Sequence, residues 1–138
     1  MHTLITPVLA LITLTLLVWI WMYATRIPAM GKAGIQPQEA AHPGTWESRI
    51  PSSARQVADN YNHLHEQPTI FYALVFAIVI AGHTDRLHID LAWAYVALRA
   101  VHTLVQGTVN VVTVRFTVFS LSTLVMMVML ARELAALV

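Results

Sequence analysis

Apolar residues in this chain gather into runs of helix length, each closed by a short polar break. The first run, Leu4–Tyr23, holds no charged residue and matches the roughly 20 residues that cross a bilayer core. The second starts polar near Ser53 and becomes almost wholly apolar over Ala73–Gly82. The third, about Leu91–Gly107, is the least hydrophobic, and the fourth runs from about Val112 to Ala131. None shows the alternation of a strand, so helices are predicted. The expected fold is an all-α integral membrane protein, a single domain of four transmembrane helices over about 4–24, 53–82, 90–108 and 112–131.

The breaks set the layout. The first run lacks the basic leader and small-residue cleavage site of a signal peptide, so it reads as a retained span. Trp19, Trp21 and Tyr23 near its end suit the membrane interface. The connection from Arg26 to about Val57 holds Pro28, Pro37, Pro43 and Pro51, which argues against a long helix there. Arg26, Lys32, Arg49 and Arg55 make up half of the chain's eight Lys and Arg residues. That bias predicts a cytoplasmic connection, with both termini outside. Ser52 or Ser53 would cap the second helix and Asp90 the third. His2, His42, His83 and His88 fall in expected tails and loops, where solvent is their ordinary partner.

Polar chemistry concentrates at two places inside these runs. Asp59, Asn62, His63 and Glu66 recur at spacings of three and four, which is one face of a continuous helix. Pro68 would then kink that helix beside Glu66. Arg99, His102, Gln106 and Asn110 form a second such face on the third run. With the amino end outside, Glu66, His102, Gln106 and Arg115 share a depth near the cytoplasmic side, with Arg26 beside them and Arg99 deeper. A carboxylate within a membrane needs a partner, and Arg99 and Arg115 are the expected ones. Such a pair is either a tie between helices or part of an anion site in which Arg26 and Arg115 hold a carboxylate or thiolate.

Composition narrows the classes. Residues are 57% hydrophobic and 11% charged, against about a quarter charged in soluble domains. A net charge of +1 with no basic run gives no nucleic-acid surface. The absence of cysteine rules out disulfides, thiolate metal sites and a cysteine nucleophile. Any thiol must come with a substrate. No metal is expected, since His63 and His65 point to opposite sides of a helix and Thr69 stands where a zinc-protease pattern needs histidine.

The segment Asp59-Asn-Tyr-Asn-His-Leu-His-Glu66-Gln-Pro68, with Phe71-Tyr72-Ala-Leu after it, resembles the second helix of the bacterial branch of the MAPEG proteins, the membrane-associated proteins in eicosanoid and glutathione metabolism. Leu91 to His102 resembles the family's third helix, and Arg115-Phe116 the start of its fourth. The resemblance implies a homotrimer of four-helix subunits in the bacterial inner membrane, with glutathione held between neighbours near the cytoplasmic side. It implies that Glu66 contacts the amino end of glutathione, that Arg26 assists, and that Arg115 holds or activates the thiol. His63, Asn62, Gln106, His102 and Arg99 are the further candidates for binding it. The chain departs from the family pattern at Asn62 and His63, where Arg-Asn is common, and at Gln106 and Phe119, where tyrosines are common.

The implied function is a glutathione-dependent transferase or peroxidase acting on lipophilic electrophiles or hydroperoxides. The alternative is a non-catalytic lipid- or anion-binding protein of the same fold. A proton-coupled transporter fits less well, because Glu66 lies toward one interface and no inverted repeat is visible.

Overall fold

A computed structural model describes residues 3–137 as an all-helical bundle; His2 lies outside the described residues. The helices are α1 (Ile5–Lys32), α2 (Ser52–His63), α3 (Gln67–Ile80), α4 (Arg86–Gly107) and α5 (Val112–Ala136). α1, α2 with α3 taken together, and α5 are long and apolar enough to cross a membrane. α4 completes the bundle with opposite polarity. Its Arg99, His102, Thr103 and Gln106 are buried, while Trp93, Val101 and Leu104 are exposed. A helix solvated by lipid turns its polar face inward in this way, because hydrocarbon offers those groups no partners.

Several boundaries differ from the expected ones. α1 runs two turns past residue 24 and through Pro28, although proline in a helix interior costs about 3 kcal/mol. Burial explains the extension. The connection folds back in two short 3₁₀ turns, Pro37–Ala41 and Glu47–Arg49, and packs Ile35, Trp46 and Ile50 against Ala29 and Ala54. Each large side chain removed from water contributes about 1.5–3 kcal/mol, so three of them outweigh the lost backbone bond. Pro51, not Ser52 or Ser53, stands before α2.

The second span is two helices, not one kinked helix. α2 ends at His63, and successive tight-turn bonds carry the chain through Leu64, His65 and Glu66. Glu66, the residue before α3, has a non-helical backbone (φ −91°, ψ −96°), and Pro68 sits in the first turn of α3, where its missing N–H costs nothing. The break therefore falls upstream of Pro68. Gln67 then ties three helices. It accepts from Tyr95 Oη at 3.2 Å and Ser122 Oγ at 3.4 Å, and its amide donates to Thr123 Oγ1 at 2.6 Å. Phe71 stacks on Tyr95 at 4.3 Å between ring centres. Around that pair pack Val8 and Leu11 of α1, Val75 and Ile78 of α3, and Met129 of α5.

The end of the bundle where α3, α4 and the tail of α5 meet is clipped by charge. α4 starts at Arg86, four residues before the expected span, and is capped by Asp85, whose carboxylate accepts from the His88 N–H at 2.7 Å. Asp90 lies inside the helix and pairs with Arg86. Arg132 of α5 pairs with Asp85 at 2.5 Å, and His83 with the buried Glu133 at 3.0 Å. His88 is buried and its Nδ1–H donates to the His83 carbonyl at 3.1 Å. Neither His83 nor His88 is simply solvated, whereas His42 is exposed.

Candidate functional site

The candidate residues fall into two clefts and a buried layer behind one of them. The first cleft, about 520 Å³, opens where the end of α1, the Trp46 segment and α2 meet. Arg26, Arg55, Asp59 and Asn62 line it with Trp46 and Glu47. Arg26 lies 4.5 Å over the ring of the buried Trp46, so a cation is held flat against an indole face. Glu47 Oε2 accepts from the backbone N–H of Gly44 at 2.7 Å and of Trp46 at 3.3 Å. The Gly44 bond first, with the nearby Arg26 charge adding to it, holds the Glu47 carboxyl below its ordinary range.

The second cleft, about 250 Å³, is lined by His63, His102, Val112, Arg115, Phe116 and Phe119. Its position follows from the end of α4. The Asn110 backbone turns to a φ of 49°, a left-handed conformation that asparagine tolerates, and its N–H reaches the Val105 carbonyl at 2.7 Å. The Asn110 side chain then accepts from Arg115 Nη1 at 2.9 Å, which aims the guanidinium. Gln56 of α2 fixes the same turn, donating to the carbonyls of Gly107 at 3.1 Å and Thr108 at 2.8 Å. The rings of His63, His102 and Phe119 meet at centroid distances of 5.5, 5.7 and 6.0 Å. A guanidinium and two imidazoles thus share an otherwise apolar wall.

Behind that wall lies Arg99, 0% exposed. Its Nη2 donates to the His63 carbonyl at 3.1 Å, and its guanidinium lies 5.6 Å from the Phe119 ring. Arg99 Nε and Nη1, His102 Nδ1, Gln106 Oε1 and both polar atoms of Asn60 are buried without a protein partner. So many unpaired polar atoms in one region are unusual, because buried polar groups are nearly always bonded.

The predicted residues are therefore divided. Arg26 and Asn62 belong to the first cleft, and His63, His102 and Arg115 to the second. Arg99 and Gln106 are buried and line neither. Asn110 has left the α4 face for the turn after it. Glu66 does not pair with Arg99 or Arg115. Because α2 stops at His63, the Glu66 side chain swings outward and is 64% exposed, with its Oε2 3.3 Å from His63 Nδ1. That is ion-pair reach without hydrogen-bond alignment, since Nδ1 has no hydrogen-bonded partner. Sequence reasoning passed over Trp46, Gln56, Asn60 and Gln67. Only Gln67 carried a signal, as an amide beside Pro68 within an apolar run.

No characterised protein and no solved structure matches the chain significantly. The MAPEG family model matches residues 4–135, nearly its whole length, and the chain belongs to the MAPEG family.

Proposed function

We propose that this protein is a membrane glutathione transferase or peroxidase acting on lipophilic electrophiles or hydroperoxides. The observation that carries the reading is Arg115, aimed by Asn110 into a cleft whose other walls are Val112, Phe116 and Phe119. A free thiol near pH 7 is only a few per cent thiolate, since its pKa is about 8.5. A guanidinium in a poorly hydrated cleft favours the thiolate, and the phenylalanines suit an apolar partner arriving from lipid.

The first cleft supports the peptide part of glutathione. Arg26 and Arg55 suit its carboxylates and Asp59 its amine, with Asn62 between them. The unpaired donors and acceptors of Arg99, Asn60 and Gln106 line neither cleft and suit buried waters. Millimolar glutathione should raise the unfolding temperature of purified protein, as any ligand selective for the folded state does, and Arg115→Ala should abolish turnover. No stabilisation by glutathione would overturn the reading.

One observation favours a non-catalytic relative. Phe119 brings no hydroxyl to the cleft, and Gln106 is buried away from it. On that reading a lipid or other anion occupies the site, and Arg115→Ala weakens assembly without removing an activity.

A further inference from the structure

We infer that His63, with the Glu66 carboxylate 3.3 Å from its Nδ1, is the base that takes the proton from the thiol substrate; the inference rests on the glutathione reading above. Two imidazoles line the second cleft, and their surroundings differ. His102 is 1% exposed, its Nδ1 is buried, and among the described residues neither a hydrogen-bond partner for that atom nor a carboxylate pairs with it. His63 has a side chain 32% exposed and a carboxylate 3.3 Å from Nδ1. With Nδ1 buried and turned to Glu66, Nε2 is the nitrogen left to the cleft. The backbone beneath the ring is fixed as well, because Arg99 grips the His63 carbonyl.

The charged and titratable groups around His63 are Asp59 of its own helix, Glu66 at the break, Arg99 and His102 of α4, and Arg115 of α5. They divide the work. Glu66 favours the tautomer with the proton on Nδ1, which leaves a lone pair on Nε2. The thiol S–H bond breaks, an Nε2–H bond forms, and the sulfur keeps the electron pair. The imidazolium then faces the Glu66 carboxylate, and the thiolate faces Arg115. Each product then has its own counter-charge, Glu66 at the α2–α3 break and Arg115 in the cleft. A carboxylate within ion-pair reach of an imidazole supports the imidazolium that a general base becomes.

The test has two parts. In ligand-free protein, nitrogen NMR of the His63 ring should show the proton on Nδ1, and Glu66→Gln should shift that tautomer balance. In turnover of a lipophilic electrophile, His63→Asn should lower kcat/KM at neutral pH by about 100-fold. Its rate should climb toward wild type as pH approaches the thiol's own pKa of about 8.5, while KM for glutathione stays near the wild-type value. A His63→Asn profile parallel to wild type, a loss confined to KM, or a ring tautomer indifferent to Glu66→Gln overturns the assignment. If Arg115-dependent turnover persists in that case, only the base is wrong. Wild-type protein that neither binds nor turns over glutathione removes this inference together with the reading beneath it.

Discussion

Gly107 closes α4 against α1, and a single methyl group there should be felt throughout the inner end of the bundle. A Cβ built on Gly107 would overlap the far edge of the Trp21 indole, at atoms Cη2 and Cζ3, with Cζ2 at 3.3 Å. Overpacking of this kind costs about 1–3 kcal/mol. Alanine returns at most about 1 kcal/mol of helix propensity, and less at a position that is the last residue of α4. Any retreat of the turn also strains the two bonds from Gln56 to the carbonyls of Gly107 and Thr108, each worth about 0.5–1.5 kcal/mol. Gly107→Ala should therefore lose about 1–2 kcal/mol net, measured by unfolding in mixed micelles. In a Trp21→Ala background the same change should be neutral or stabilising, giving a coupling of about 1–3 kcal/mol. Gly107→Ala as stable as wild type, or equal effects in both backgrounds, would refute the contact as the reason for glycine.

Gln67→Ala should cost about 1–3 kcal/mol, because Tyr95, Ser122 and Thr123 lose their shared partner together; unfolding of the variant beside Tyr95→Phe checks it. The Asp85 carboxyl sits below its ordinary value, first because of the His88 N–H and then through the charges of His88 and Arg132. A group depressed in the folded state contributes stability above its unfolded pKa of about 4 and loses it as pH falls through the lower folded value. Amide protection around Gly82–Arg86, taken relative to the intrinsic exchange rate at each pH, should accordingly fall on acidification below about pH 4, and Asp85→Asn should remove most of that dependence. Since the chain has no cysteine, single substitutions report topology cleanly. An impermeant maleimide on intact cells should label Arg86→Cys at once and Thr45→Cys only after permeabilisation; the reverse order would invert the orientation.

The helical layout was legible because lipid imposes long unbroken apolar runs, and even α4 could be placed from the three-and-four spacing of Arg99, His102 and Gln106. Periodicity erred where a tertiary contact decided. The extension of α1 through Pro28 depends on Trp46, whose burial no local pattern announces. Treating residues 53–82 as one helix put Asp59, Asn62, His63 and Glu66 on a common face. The break after His63 sends them to two clefts and to the surface. Within one subunit Glu66 pairs with no arginine among the described residues, for the same reason. Spacing predicts a shared face only while the helix lasts.

α1 has a consequence for where the protein can work. Its 28 residues give a rod about 42 Å long, against a hydrocarbon layer of about 30 Å. The surplus at the carboxyl end of the rod bears Arg26 and the Trp46 buttress, so any lean carries one wall of the polar cleft with it. Helices answer changes in bilayer thickness by leaning. The lipid composition of the host membrane thereby becomes a setting on the width of that cleft, and the same chain in thin and thick bilayers should grip a polar ligand with different strength.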